Sequence, residues 1–279
     1  MALSKLDQAL IEALNEDETR LLIKAGANVN ARNDYGFSSL MYARTEGQTR
    51  ALIKAGAEVN YRNDYGFSAL MYSRSEGQTR LLLQAGADVD FRNNNEETAL
   101  MHARTAGQTR ALIEAASDVN ARNIDGGTAL MYSDEDKTRV LLQAGADVNA
   151  RNNDGKTALM YAKTDDQTRL LLQAGADVNA RNNDGETALM YAKTEDKIRL
   201  LLQAGADVNA RNNDGETALT YADDDQSIIL LLAKAEAEAK AEGETEAKAE
   251  GETEAENKDK LIQVLIPVLK MIFNNKRYS

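Results

Sequence analysis

The 279-residue chain has no cysteine and no tryptophan. Disulfides, thiolate nucleophiles and cysteine-based metal sites are therefore excluded. Its single histidine, His102, would have to serve any Ser-His-Asp triad, and it leaves a histidine-based zinc site almost without ligands. One proline rules out Pro-rich linkers. Positive charge is in deficit, with 33 Lys plus Arg against 45 Asp plus Glu and a net charge of −12. That balance argues against general binding to nucleic acid or anionic lipid, both of which attract basic faces. Residues 1–7 contain no apolar run of the kind a signal peptide needs. No segment reaches the ~18 apolar residues of a membrane span. The expectation is a soluble, cytoplasmic chain, with delivery into another cell by a signal-less route left open.

What the chain has is repetition. Ala-Gly-Ala begins at Ala25, Ala55, Ala85, Ala144, Ala174 and Ala204, with a degraded copy at Ala115-Ala116-Ser117. A second landmark, Ser/Thr-Ser/Ala-Leu, begins at Ser38, Ser68, Thr98, Thr128, Thr157, Thr187 and Thr217. The interval is 30 residues, shortened to 29 in the fourth copy. Such regularity predicts a solenoid of seven units behind an opening half-unit.

One copy shows the chemistry of them all. In Asn183-Asp184-Gly185-Glu186 the Asp-Gly pair suits a turn that needs positive φ. Thr187 then reads as the N-cap of a short helix with Ala188, Leu189 and Ala192 inward. Thr194-Glu195-Asp196 breaks that helix and puts acidic groups at the next N-terminus. A second helix carries Ile198, Leu201 and Leu202, and Gly205 sits where a left-handed C-cap is expected. Helices this short do not stand alone, so stability must come from stacked neighbours.

Thr187-Ala188-Leu189-Met190-Tyr191-Ala192, followed by 200–210, resembles the ankyrin repeat, whose signature is T-P-L-H-x-A in a 33-residue turn and helix pair. The likeness covers roughly residues 3–232. It implies an all-α solenoid: an ankyrin-like stack of helix pairs joined by short β-turn or hairpin loops. Three departures accompany it. Alanine, or serine in the first copy, stands for the family proline. Met41, Met71, Met101, Met131, Met160, Met190 and Thr220 stand for the family histidine, which removes its side-chain hydrogen bonds. Each unit also lacks three residues between its helices, about one helical turn.

The expected domains are an array over 1–232, a spacer over 233–257 and a C-terminal helix over 258–279. In the array, 1–30 form an N-cap, with Leu6, Ala9, Leu10 and Ala13 at helical spacing, and seven helix pairs follow. The spacer repeats Ala-Lys-Ala-Glu-Gly-Glu-Thr-Glu and reads as a solvated, acidic, partly helical linker. The last segment reverses sign and presents Leu261, Leu265, Val268, Leu269, Ile272 and Phe273 as an apolar surface. Its apolar run is too short to cross a bilayer. It is read as a site of partner or self-association, which would allow a homo-oligomer, with membrane contact through 258–279 or capping of the array as alternatives.

The resemblance implies protein binding through the turn tips and the first helices. At the family's variable positions the first two copies carry Asp34, Tyr35, Phe37 and Asp64, Tyr65, Phe67; the fifth to seventh carry Asn153, Asp154, Lys156, Asn183, Asp184, Glu186, Asn213, Asp214 and Glu216. Tyr61 and Phe91 add aromatics at the turn base. Tyr35, Phe37, Tyr61, Tyr65, Phe67 and Phe91 are the candidate hot spot for a protein partner, since exposed aromatics bury large areas on binding. The alternative is that they stack on one another and stiffen the turns. A stripe of Tyr42, Tyr72, His102, Tyr132, Tyr161, Tyr191 and Tyr221 reads as structural. So does an arginine at every turn base, at 32, 62, 92, 122, 151, 181 and 211. A calcium loop fails on spacing, because Ala150 occupies a ligand position.

The third and fourth copies are irregular: Glu96 and Ala116 each replace a glycine, which makes a bend near 93–137 or drift without function equally reasonable. By contrast, residues 144–216 are near duplicates. No carboxylate pair or nucleophile breaks the period, so the chain reads as a non-catalytic interaction scaffold that uses no cofactor and no metal. The competing reading is an acidic inhibitor that mimics nucleic acid toward a basic protein.

Overall fold

The computed structural model describes residues 3–222 and 225–247. Its described residues form an all-α solenoid architecture in two compact units that divide after Asn153. In both, the regular element is the second helix of each copy, nine residues long: Glu16–Lys24, Glu46–Lys54, Glu76–Gln84, Ala106–Glu114, Glu135–Gln143, Asp165–Gln173 and Glu195–Gln203. Each starts at a side-chain cap: Asn15, Thr45, Ser75, Thr105, Asp134, Thr164 and Thr194 accept from the backbone N–H three residues on. Each ends in a left-handed residue. At Gly205, with φ 86°, the N–H of Ala206 reaches Leu201 at 3.0 Å and that of Gly205 reaches Leu202 at 3.0 Å. This is the Schellman closure that the glycine spacing predicts.

The first helices are barely helices. Ser39–Tyr42, Ala99–His102 and Ala158–Tyr161 are single α turns, while Ala129–Tyr132, Ala188–Tyr191 and Ala218–Tyr221 are 3₁₀. Residues 69–72 form turns only. The three missing residues per copy account for this loss. Thr187 stands at the N-cap, as expected, but none of Ser38, Thr98, Thr128, Thr157, Thr187 or Thr217 makes a capping bond from its hydroxyl. The hydroxyls of Ser68, Thr98, Thr128, Thr157 and Thr187 are buried with no partner among the described residues. A methionine thioether three residues on offers little to a hydroxyl.

Within each unit the core lies between the helices of successive copies. Leu40, Leu70, Leu100, Leu130, Leu159 and Leu189 come from the first helices, and Leu52, Leu82, Leu112, Leu141, Leu171 and Leu201 from the second. In the opening pair Leu6 faces solvent, and Leu10 and Ile11 are buried. Along this core runs a polar ladder that the sequence reading missed. Gln48 Nε2 donates to the Ala13 carbonyl at 2.9 Å and to Thr19 Oγ1 at 3.2 Å. Gln78 does the same to Ala43 and Thr49, and Gln108 to Ser73 and Thr79. Lysine replaces glutamine twice: Lys137 Nζ donates to Ala103 at 3.1 Å and Lys197 Nζ to Ala162 at 2.6 Å. Each rung satisfies a loop carbonyl that packing would otherwise strand away from water.

Two further ladders join the loops. Arg62 donates to the Arg92 carbonyl at 2.5 Å, Arg92 to Arg122 at 2.9 Å and Arg122 to Arg151 at 2.5 Å; Arg181 reaches Arg211 in the second unit. The arginine series is therefore structural, as expected. Asn30, Asn60, Asn120 and Asn179 each donate to a C-cap carbonyl of the next copy and accept a backbone N–H beside it. Asp90 occupies this place in the third copy, and no hydrogen bond links it to Ala116 or Asp118.

Glu96 (φ 61°) and Ala116 (φ 64°) are the positive-φ residues other than glycine among the described residues. Both keep the glycine geometry: Glu96 N–H bonds Asn93 at 2.9 Å and Ser117 N–H bonds Leu112 at 3.1 Å. The turns stay joined here too, Ile124 N–H to the Asn95 carbonyl at 2.9 Å. The backbone path through 93–137 thus shows strain without interruption.

The last helix, Gln226–Ala247, crosses the boundary expected at 232. Ala233 and Ala237 are buried with Ile228 and Leu232, and Thr217 Oγ1 donates to Glu236 at 2.9 Å. The start of the Ala/Glu/Lys stretch therefore packs on the last copy, because its alanines fall on the helix face that Ile228 and Leu232 begin. The remainder of the spacer beyond 247 and the candidate residues Leu261, Leu265, Val268, Leu269, Ile272 and Phe273 lie outside the described residues. Among the described residues no helix is long and apolar enough to cross a membrane.

Candidate functional site

Each turn is tied by its first asparagine. Asn33 Oδ1 accepts the N–H of Tyr35 at 3.1 Å and of Phe37 at 2.9 Å, and Asn63 repeats this for Tyr65 and Phe67. Short antiparallel bridges, Arg32 to Ser38 and Arg62 to Ser68, close the two turns. This geometry turns Phe37 and Phe67 toward the first helices and leaves Tyr35 and Tyr65 at the tips.

The result is one aromatic seam made from two series that the sequence reading kept apart. Phe37 meets Tyr42 of its own copy at 5.3 Å between ring centroids and Tyr72 of the next at 5.5 Å. Phe67 meets Tyr72 at 5.2 Å and His102 at 5.2 Å. Tyr65 joins from the tip, 6.4 Å from Phe37. All these pairs are tilted, an arrangement ring quadrupoles favour. Phe37 and Phe67 are half-buried, whereas Tyr35 and Tyr65 remain 62% and 50% exposed. Burial raises the pKa of the Tyr72 phenol, which sits within the seam.

Tyr61 and Phe91 do not join it. The Arg32 guanidinium lies 3.6 Å from the Tyr61 ring centroid, and Arg62 lies 5.4 Å from that of Phe91. Arg32 also pairs with Glu58 at 2.7 Å. These two aromatics extend the arginine series by cation–π stacking. The six candidates thus divide into two seam rings, two exposed tips and two stacked supports.

Beyond the second copy the same positions change chemistry. Glu97 replaces the phenylalanine and its Oε2 lies 3.1 Å from His102 Nε2. In the second unit, Tyr191 donates to Glu186, Tyr221 donates to the same carboxylate at 2.9 Å, and Asn182 donates to it at 2.7 Å. Burial alone would raise the Glu186 pKa, but the bonds from Tyr191, Asn182 and Tyr221 outweigh it and hold the carboxyl below its ordinary value. In return, the Tyr221 phenol is pushed up to about 12, chiefly by its bond to Glu186. Burial and then the same carboxylate raise Tyr191 further. This cluster was legible only as a tyrosine stripe and a set of variable positions.

The asparagines flagged as variable contacts are largely engaged within the stack. Asn153 bonds the carbonyls of Asp125 and Ile124 at 2.8 and 2.9 Å; Asn183 N–H reaches Asp154, and Asn213 reaches Asp184 and Asn183. No group of three or more His, Cys, Asp or Glu among the described residues could hold a metal ion.

The model for the family described as ankyrin repeats (3 copies) matches residues 74–152, 109–182, 132–212 and 163–243, together more than half of the chain. No curated protein matches it significantly. Ankyrin repeats are in general protein–protein interaction modules. The turn, the paired short helices, the left-handed closure and this match agree: the chain belongs to the ankyrin repeat family.

Proposed function

We propose that the chain is a non-catalytic binding scaffold that holds a protein partner along the aromatic seam of its first three copies. The observation that carries this reading is the exposure of Tyr35 and Tyr65 at the tips of turns whose Phe37 and Phe67 rings are already held by their neighbours. An anchor that needs little ordering on binding loses little entropy, so its buried area is realised as affinity. Phe37 and Phe67 form the floor, and Tyr61 and Phe91 brace the turn bases beneath it. The C-terminal segment with Leu261, Leu265, Val268, Leu269, Ile272 and Phe273 would add self-association or a second contact.

The test is affinity capture with the wild type beside a Tyr35→Ser/Tyr65→Ser variant, with quantitative identification of what is retained. These tips are exposed, so the variant should fold unchanged by circular dichroism. Loss of one prominent partner supports the seam; identical retained sets remove it. Salt separates the competing mimic of nucleic acid. Affinity that collapses with ionic strength favours charge mimicry, whereas an aromatic hot spot persists.

A further inference from the structure

Beside the seam runs a row of arginines without partners. Arg44, Arg74 and Arg104 each follow a seam ring by two positions, after Tyr42, Tyr72 and His102. All three are exposed, and among the described residues none of their side chains makes an ion pair, a hydrogen bond or a ring contact. Arg20, Arg80, Arg139 and Arg199 pair with glutamates on their own helices, and Arg62, Arg92 and Arg122 reach loop carbonyls. Arg50 and Arg110 on the second helices also make no ion pair, but they follow Gln48 and Gln108 rather than a ring of the seam. Arg44 also lines a cavity of about 190 Å³ with Tyr42, Asn33, Gln8, Ile11 and Glu12, which places its stem on the seam side of the copy. The row ends where the seam ends: in the fourth copy the position is Asp134, occupied in capping the next helix through the N–H of Lys137.

We infer that the partner segment bound by the seam is an extended acidic peptide whose carboxylates meet Arg44, Arg74 and Arg104 while its apolar side chains cover the rings. This rests on the seam reading proposed above and adds to it the chemistry and register of the partner. Unpaired guanidinium groups beside an aromatic floor complement carboxylates that approach from one edge. Asp34 and Asp64 stand beside Tyr35 and Tyr65 at the turn tips, exposed and without ion pairs. A polyanion with charge on all sides, such as single-stranded nucleic acid, would be repelled there, whereas a peptide can present acids to one edge alone. Packed neighbouring helices lie about 8–10 Å apart. Three residues of a polyproline-II backbone advance about 9 Å and return to the same face. The arginine row therefore fits acidic residues at every third position, with apolar residues between them.

The test is selection of short random peptides displayed against the immobilised full chain, followed by fluorescence anisotropy with the selected sequences made synthetically. A labelled oligothymidylate is run alongside. The expected result is enrichment of Asp or Glu at three-residue spacing among apolar residues. Binding should weaken by about tenfold in an Arg44→Gln/Arg74→Gln/Arg104→Gln variant, the sum of three exposed ion pairs. It should also weaken in Tyr35→Ser/Tyr65→Ser. Selected peptides that are neutral or basic, or that ignore the triple variant, would overturn the inference while leaving the seam standing if the tyrosine variant still loses them. Peptides indifferent to both variants would remove the seam as well. Binding of the oligothymidylate, lost in the triple variant, with no peptide enriched, would reassign the row to nucleic acid.

Discussion

Replacing Ala116 by glycine should stabilise the first compact unit, and the size of the gain can be worked from its equivalents. Gly26, Gly56, Gly86, Gly145, Gly175 and Gly205 occupy the same C-cap with φ between 84° and 93°, and an added Cβ at any of them meets nothing within 4 Å. The cost of alanine here is thus one of backbone conformation, about 1–2 kcal/mol for an L-residue in the left-handed region. Glycine returns about 0.5–1 kcal/mol of that through the entropy of the unfolded chain, so the net gain is about 1 kcal/mol. Asp90→Asn at the same joint should add to it. Asparagines at the equivalent positions donate to the C-cap carbonyl and accept the N–H two residues on, at 2.8 Å each for the latter. Two exposed neutral bonds contribute about 1 kcal/mol together. The pair should therefore raise the melting temperature by about 4–8 °C, at 2–4 °C per kcal/mol for a unit of this size. The two changes share the carbonyl of residue 116, so their effects should couple. Urea melts followed by circular dichroism give the stability, and hydrogen exchange over 112–121 should slow in the double variant. The mirror experiment, Gly205→Ala, should cost about 1 kcal/mol. If that change is neutral, or if Ala116→Gly destabilises, the joint is not strained and the account of it is wrong.

Other expectations follow from the buried polar groups and the tail. Thr157→Val should be neutral or stabilising by up to about 1 kcal/mol, because the hydroxyl it removes has no partner to lose; a clear loss of stability in urea melts would show that the hydroxyl is satisfied. At Lys197, 5% exposed, burial pushes the pKa down from 10.5 against the pull of Asp165. The folded state therefore penalises the charged form fully below its own pKa, and the penalty fades as pH rises toward 10.5, so this residue's contribution to stability rises with pH across that window. Lys197→Gln should be the more stable protein at neutral pH, and its advantage should shrink on approach to 10.5; a constant difference between the two urea midpoints would refute the desolvation argument. Deleting 258–279 should lower the oligomeric mass in light scattering or abolish flotation with vesicles, and no change in either would count against an associating role for Leu261 to Phe273.

Periodicity made the architecture legible, since a 30-residue beat of Gly, Leu and Thr fixes where each helix ends and which face is apolar. It also marked Asn, Arg and Gly as turn chemistry. What periodicity hides is which neighbour a side chain meets. Gln48, Gln78 and Gln108 recur on the beat of the leucines, with lysine at 137 and 197, but a polar residue in the first turn of a short helix reads as solvated. Its burial arises only because that turn abuts the loop of the preceding copy, 35 residues back. The seam was divided for the same reason: Phe37 finds Tyr72, and Phe67 finds His102, across copies. Thr187 stands at the N-cap expected of it but its hydroxyl makes no capping bond, whereas that of Thr194 accepts the N–H of Lys197.

The copies also act as controls for one another. Position by position, the backbone of each turn is held by features that do not depend on the side chains at 35 and 37. Gly36 has φ 74°, and a Cβ there would come within 2.8 Å of Asp64; Gly66 has φ 79°, and its Cβ would come within 2.7 Å of Asn94. The asparagine at the turn base fixes the two N–H groups that follow, whether those belong to Tyr65 and Phe67 or to Asp184 and Glu186. A turn constrained in this way tolerates phenylalanine, glutamate, glycine or lysine at one site without a change of path. Substitution there costs the scaffold little and changes what it can touch, which is the condition under which binding chemistry can diverge from copy to copy. In the first unit that freedom has been filled with rings and flanked by unpaired arginines. In the second it is closed by a carboxylate that two phenols and an amide already satisfy. A partner offering hydrogen bonds to Glu186 must first displace bonds of equal quality, whereas one offering apolar surface and carboxylates to Tyr65 and Arg74 displaces only water.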